Sequence, residues 1–76
     1  MNVKDKVRNY LDRYVGQGTI EDDDNIFEKR LVNSLFALQL VTFIEKEFGV
    51  SLGNEELDIE NFKDINSITA LVERKL

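Results

Sequence analysis

Apolar residues recur at helical spacing at the start of this chain. Residues 3–15, VKDKVRNYLDRYV, place apolar side chains three or four positions apart, and Gly16 and Gly18 follow them. Residues at that spacing share one face of a helix, so the stretch predicts a first amphipathic helix that the glycines end. Its polar face carries four basic residues, which we interpret as solvent-exposed: Lys4, Lys6, Arg8 and Arg13.

The most apolar part of the chain, residues 31–50 (LVNSLFALQLVTFIEKEFGV), predicts the central helix. Asn33 or Ser34 suits the N-cap position, and Gly49 suits the C-terminal stop. Projection at about 100° per residue gives a core stripe: Ala37, Leu40, Val41, Ile44 and Phe48. The opposite face carries Leu35, Gln39, Thr42 and Lys46.

Three further apolar residues of this helix, Phe36, Leu38 and Phe43, flank the core stripe and admit two interpretations. In the first, all three pack against neighbouring helices. In the second, Leu35, Leu38 and Phe36 stay exposed near Ser34 and form a docking surface. We assign the docking surface to the following residues: Asn33, Leu35, Phe36, Leu38, Gln39 and Thr42.

Residues 16–33 have no helical stripe and predict a long loop. Loops of this length are uncommon in compact domains unless their own side chains hold them down. We expect the apolar residues of the loop to do so: Ile20, Ile26, Phe27, Leu31 and Val32. The acidic run Glu21–Asp24 lacks the alternate spacing and central glycine of a calcium-binding EF-hand loop, so solvated charge is the preferred interpretation and no metal site is expected.

The last third of the chain predicts two more helices. Residues 49–63 form a turn-rich connector in which Leu57, Ile59 and Phe62 support a short third helix. Residues 64–76 return to helical spacing, with Asp64 as the N-cap. The predicted fold is all-α, a small four-helix bundle in which residues 1–76 form one domain with a long first loop and a short third helix.

Composition excludes several classes of function. The 76 residues contain no Cys and no His, which leaves no thiolate nucleophile, no imidazole base and no Cys/His zinc site. A net charge of −5 argues against nucleic acid as a partner. No apolar run is long enough for a membrane span, and no signal-peptide core follows the first residues, so we expect a cytoplasmic monomer away from membranes.

The predicted architecture, with a serine opening the second helix and an acidic composition, resembles the acyl carrier and peptidyl carrier protein family. The resemblance covers essentially the whole chain. Asn33-Ser34-Leu35 stands where the family usually shows Asp-Ser-Leu, and Leu40-Val41 and the EKEFG segment that closes the helix follow. Residues 57–68 are similar to the family's connector into its last helix.

This resemblance implies that a phosphopantetheinyl transferase attaches 4′-phosphopantetheine from coenzyme A to the hydroxyl of Ser34. The thiol of that arm would carry an acyl group as a thioester, and the chain would have no catalytic residues of its own. The implied partners are acyl-loading and acyl-modifying enzymes and acyltransferase or synthase modules.

The chain also departs from the family pattern. Asn33 replaces an acid, and Phe36, Gln39 and Lys46 stand where many carriers of fatty-acid synthesis have acids. The segment VNSLFALQLV is similar to discrete carriers of unusual polyketide extender units, such as the methoxymalonyl type, in secondary-metabolite and antibiotic biosynthesis. The alternatives are an aminoacyl or peptidyl carrier of a nonribosomal peptide pathway and an unmodified helical interaction module.

Overall fold

A computed structural model describes residues 2–76 of the chain. Its elements, in order, are α1 (Val3–Val15), α2 (Ser34–Phe48), α3 (Ile59–Phe62) and α4 (Ile65–Lys75). The predicted all-α fold with a long first loop and a short third helix is confirmed. No helix in residues 2–76 combines the length and the apolar character needed to span a membrane.

The core is one cluster of buried aliphatic and aromatic side chains to which every helix contributes. Of the predicted stripe on α2, Leu40 and Ile44 are completely buried, whereas Ala37, Val41 and Phe48 are partly buried. From α1, Val7 and Leu11 join them. The rest of the cluster comes from the first loop and from the C-terminal part of the chain: Ile20, Ile26, Phe62, Ile65, Ile68, Leu71 and Val72.

Phe36 belongs to the core, so the prediction that it lies on a docking surface is wrong. Its side chain is 0% exposed. The ring centroid lies 4.1 Å from that of Tyr14 and 6.0 Å from that of Tyr10, both on α1. Two turns further along α2, the Phe43 ring stacks on Tyr10 at 4.1 Å. Aromatic contacts of this kind add to the burial energy, and here they hold α2 against α1.

The first loop is held down by its own side chains, as predicted. Ile20 and Ile26 are buried, and Phe27, Leu31 and Val32 pack partly buried against the core. Backbone bonds attach the loop to the C-terminal part of the chain. The Ile26 N–H donates to the carbonyl of Lys63 at 2.8 Å, and the Asn66 N–H donates to the carbonyl of Asp22 at 3.1 Å.

Ion pairs hold the first loop to α1, which corrects in part the interpretation of the basic face and of the acidic run as solvated charge. Arg13, Glu21 and Asp23 are exposed, as that interpretation expects. The Arg8 guanidinium donates to the Asp22 carboxylate and, at 3.1 Å, to the carbonyl of Ile20. The Lys4 ammonium lies 3.3 Å from the same carboxylate. Asp24 accepts a bond from the Glu21 N–H at 2.7 Å, so the carboxylate also shapes the loop locally.

The Arg8–Asp22 pair makes stability depend on pH. The hydrogen bond from Arg8 lowers the pKa of Asp22 below its ordinary value of 3.8. A carboxylate with a lowered folded-state pKa stabilises the fold above its ordinary pKa, and this stabilisation is lost as the pH falls through the lowered pKa. We therefore expect Asp22→Asn to melt at a lower temperature than the wild type at about pH 7, and the difference to shrink at an acid pH below the ordinary pKa of 3.8.

The matched control for this prediction is Asp23→Asn, because Asp23 is an exposed neighbour and makes no ion pair within residues 2–76. Thermal unfolding followed by far-ultraviolet circular dichroism at both pH values measures the effect. Equal melting temperatures for the two variants at about pH 7 would show that Asp22 adds nothing to stability.

Candidate functional site

Asn33, not Ser34, is the N-cap of α2. The Asn33 Oδ1 accepts a hydrogen bond from the Phe36 N–H at 3.0 Å, and its carbonyl accepts from the Ala37 N–H at 3.1 Å. Its backbone is extended, as the N-cap position requires. Ser34 is therefore the first residue of the helix, and its side chain, which has no capping role, is exposed.

The start of α2 provides a favourable electrostatic position for an anion on Ser34. The first N–H groups of a helix lack intrahelical acceptors, and the helix dipole is positive at this end. Asn33 satisfies one of these groups with a neutral side chain, and the first turn contains no acidic residue. The helix start would therefore stabilise the negative charge of a phosphate ester on the Ser34 oxygen.

Ser34 also lies at an apolar groove between α2 and residues 57–62, which include α3. The groove encloses about 260 Å³, slightly below the range of about 300–1,000 Å³ typical of ligand pockets. Most of its wall is hydrophobic, and Asp58 is its one ionisable residue. The lining residues are Phe27, Ser34, Ala37, Leu38, Val41, Leu57, Asp58, Ile59 and Phe62.

A larger and more polar groove of about 600 Å³ runs between α1 and the other side of α2. Its wall includes Lys6, Arg13 and Glu47, and Ser34 does not contribute to it. A short group attached to Ser34 would therefore lie next to the apolar groove and not next to the polar groove, although the polar groove is the larger of the two.

The predicted docking residues, Phe36 excepted, share the exposed surface beside Ser34. Leu35 and Leu38 are 64% and 67% exposed. The other three are also exposed: Asn33, Gln39 and Thr42. The Thr42 hydroxyl donates to the backbone carbonyl of Leu38 at 3.2 Å.

Sequence reasoning missed two groove residues on the α3 side. Leu57 and Ile59, which were expected to support the third helix, are 48% and 58% exposed and line the groove. Of the three expected supports, only Phe62 is buried. Their exposure could have been predicted from the sequence. Both residues lie in the segment ELDIE, where acids flank each of them, and this pattern is unusual for core residues.

The cap gives a stability prediction. We expect Asn33→Ala to lower the free energy of unfolding by about 1 kcal/mol, because the Phe36 N–H loses its acceptor. Asn33→Asp keeps an acceptor and adds a negative charge at the positive end of the dipole, so a gain of about 0.3–1 kcal/mol is expected in low salt. Urea unfolding of the unmodified protein measures the free energy of unfolding of both variants. If Asn33→Ala has the same free energy of unfolding as the wild type, the cap is not formed in solution.

Comparison with known proteins finds relatives that are named as carrier proteins. No protein-family model matches the chain. The "Probable acyl carrier protein PigG" of Serratia sp. is 34% identical over 55 residues, which cover 72% of this chain and 63% of that protein. The "D-alanyl carrier protein" of Lactococcus lactis is 34% identical over 53 residues, which cover 70% of this chain and 67% of that protein. The chain thus spans somewhat less than two thirds of the first of these relatives.

Taken with the four-helix fold and the exposed serine at the start of α2, these similarities show that the chain belongs to the carrier protein family.

Proposed function

We propose that the chain is a discrete acyl carrier protein modified with 4′-phosphopantetheine at Ser34. In the transfer, the Ser34 oxygen attacks the phosphorus of the 4′-phosphopantetheine group of coenzyme A and forms a phosphodiester. The pyrophosphate bond of coenzyme A breaks, adenosine 3′,5′-bisphosphate leaves, and the hydroxyl proton passes to solvent. The observation that carries the proposal is the exposed Ser34 hydroxyl at a neutrally capped helix start, beside an apolar groove. When attached, the arm supplies the thiol that a chain without cysteine lacks.

The residues around Ser34 have distinct roles in this proposal. Asn33 fixes the helix start, so that the serine oxygen stays accessible to the transferase. The first-turn N–H groups stabilise the new phosphodiester charge. The groove shelters the apolar part of a short acyl group from water, with Leu38 and Ile59 on its wall.

Partner enzymes would dock on the exposed surface of α2 beside Ser34. This surface comprises Asn33, Leu35, Leu38, Gln39 and Thr42. Its partners are the phosphopantetheinyl transferase, the acyl-loading and acyl-modifying enzymes, and acyltransferase or synthase modules. The chain itself would catalyse no reaction and would act as a cytoplasmic monomer.

The cargo we propose is an extender unit of polyketide or hybrid biosynthesis, of the methoxymalonyl type. Similarity of the segment around Ser34 to carriers of that kind supports this choice, and so does the lack of acids in the first three turns of α2, beside Ser34. An aminoacyl cargo is the second candidate, and the relative named as a D-alanyl carrier protein favours it.

Incubation of the unmodified protein with coenzyme A and a broad-specificity phosphopantetheinyl transferase tests the proposal. Intact-protein mass spectrometry should show the addition of one phosphopantetheine. A well-folded protein that gains no mass would favour the remaining alternative, an unmodified helical interaction module.

The same assay then separates the two cargo classes. Unmodified protein is incubated with the transferase and either malonyl-coenzyme A or aminoacyl-coenzyme A, and each loaded form is offered to a matching acyltransferase or condensation enzyme. Turnover of the malonyl form alone supports an extender unit, whereas turnover of the aminoacyl form alone supports the second candidate.

A further inference from the structure

The turn that leads into Ser34 ends at a residue with an unusual backbone conformation. Arg30 has a φ of 59° and is the one residue other than glycine with a positive φ within residues 2–76. The other three positive-φ positions are Gly16, Gly18 and Gly49. A side chain in this left-handed region raises the free energy of the backbone, and glycine avoids that cost. The turn itself therefore favours glycine at position 30, and the arginine needs another explanation.

Hydrogen bonds fix Arg30 in this conformation. The Asn25 Oδ1 accepts from the Phe27 N–H at 3.0 Å and begins a single helical turn. At the end of this turn the Arg30 N–H donates to the carbonyl of Phe27 at 3.0 Å. The Leu31 N–H donates to the carbonyl of Ile26 at 3.2 Å. This pair of bonds is the pattern that ends helices at a left-handed residue, which is most often glycine.

The Arg30 side chain adds no polar contact to the fold. It is exposed, and it makes no ion pair within residues 2–76. Its neighbour Lys29 differs, because the Lys29 ammonium lies 3.8 Å from the Asp24 carboxylate. A residue that raises the free energy of its own turn and has no ion pair in the fold is a candidate for a role in function.

Arg30 is close to Ser34 along a segment that the core holds in place. Four residues separate the two, so their Cα atoms are at most about 14 Å apart. Leu31 and Val32, which lie between them, pack partly buried against the core. Phe27, in the same turn as Arg30, lines the apolar groove together with Ser34. Arg30 and Ser34 are both exposed at this place.

Other basic residues are less well placed to meet a charge on Ser34. The wall of the apolar groove contains none. Lys46 is the one basic residue of α2, and it lies twelve residues beyond Ser34, about 18 Å along the helix. Lys63, which follows α3, lies 3.2 Å from the Glu60 carboxylate.

We propose that Arg30 binds the phosphodiester of the modified protein and fixes the direction in which the arm leaves Ser34. The inference rests on the proposed function and adds a positioning residue to it. A guanidinium group can donate two parallel hydrogen bonds to phosphate oxygens. The first-turn N–H groups of α2 stabilise the same charge from the helix side. An arm held in this way begins beside Phe27, at the apolar groove.

Phosphorus NMR of the modified protein tests the inference, because the phosphodiester resonance reports the surroundings of that group directly. The test variant is Arg30→Gln, which removes the cation, and Arg30→Lys is the conservative variant that keeps a charge. The matched control is Arg13→Gln, at an exposed arginine that lines the polar groove, to which Ser34 does not contribute. Arg30→Gly also removes the cation and suits the left-handed turn, so it replaces Arg30→Gln if that variant does not fold.

We expect the phosphodiester resonance of the wild type to shift between low and high salt, because salt screens an exposed ion pair. This shift should be lost in Arg30→Gln, partly kept in Arg30→Lys and unchanged in Arg13→Gln. An equal shift in Arg30→Gln and the wild type would overturn the inference. Slower pantetheinylation of Arg30→Gln with an unchanged resonance would also overturn it, because Arg30 would then contact the transferase or coenzyme A and not the attached arm. A wild type that gains no arm would contradict the proposed function, and this inference with it.

Discussion

Replacing Phe36 with alanine should lower the free energy of unfolding by about 3–5 kcal/mol, the usual cost of emptying a fully buried aromatic site. The ring is 0% exposed and contacts Tyr10 and Tyr14 on α1, so its loss leaves a cavity where the two helices meet. Stability scales as roughly 0.05–0.15 kcal/mol per residue, which gives a chain of this length about 4–11 kcal/mol in total. The variant should therefore lose a large part of its stability, and it should unfold if the wild type lies at the lower end of this range.

Leu35→Ala is the matched control for this prediction, because Leu35 is the neighbouring apolar residue and is 64% exposed. Its free energy of unfolding should stay within about 0.5 kcal/mol of the wild type. Urea titration followed by circular dichroism measures both variants. Similar midpoints for the two would mean that Phe36 does not pack between α1 and α2 in solution.

Ser34→Ala should abolish modification completely while leaving the fold intact. The serine side chain is exposed and Asn33, which the substitution leaves unchanged, provides the cap. We therefore expect a change in the free energy of unfolding of no more than about 0.5 kcal/mol. Intact mass after incubation with coenzyme A and the transferase should show no added phosphopantetheine.

Ser67→Ala is the control for loss of a serine in general. Ser67 also follows an asparagine and lies in the first turn of a helix, α4, where its N–H bonds to Asp64 at 2.7 Å. It does not line the apolar groove. This variant should be modified as fast as the wild type, and modification that survives Ser34→Ala but disappears in Ser67→Ala would assign the site to α4.

Local sequence signals were sufficient to predict the four helices and the place of Ser34 at the start of α2. The α2 helix begins where Asn33 supplies a capping acceptor and ends at Gly49, whose φ of 66° suits a residue without a side chain. Asp64 caps α4 as predicted. Each of these caps involves residues only three or four positions apart, so the ends of the helices can be predicted from the sequence alone.

The environment of Phe36 could not be read in this way. Helical periodicity places it at the edge of the core stripe, where either burial or exposure is compatible with the pattern. The residues that decide between them are Tyr10 and Tyr14, more than 20 positions earlier in the chain. Only the way in which α2 packs across α1 brings these rings together.

Two other features depend on contacts between distant parts of the chain. The pairing of Arg8 with Asp22 requires the first loop to fold back along α1. The apolar groove requires Leu57 and Ile59 to approach α2 without being buried, and exposed apolar residues look like core residues in a sequence. The sequence therefore predicted a serine at the start of α2 as the candidate site, whereas the groove beside it could be described only from the structure.

The most direct test of the carrier role is a tandem mass spectrum of peptides from the protein after incubation with an acyl-coenzyme A and the transferase. We expect acyl-phosphopantetheine on the peptide that contains Ser34, and we expect hydroxylamine to remove the acyl group while the phosphopantetheine remains. An arm on Ser51 or Ser67, or no arm on a folded protein, would contradict the assignment of Ser34 as the carrier residue.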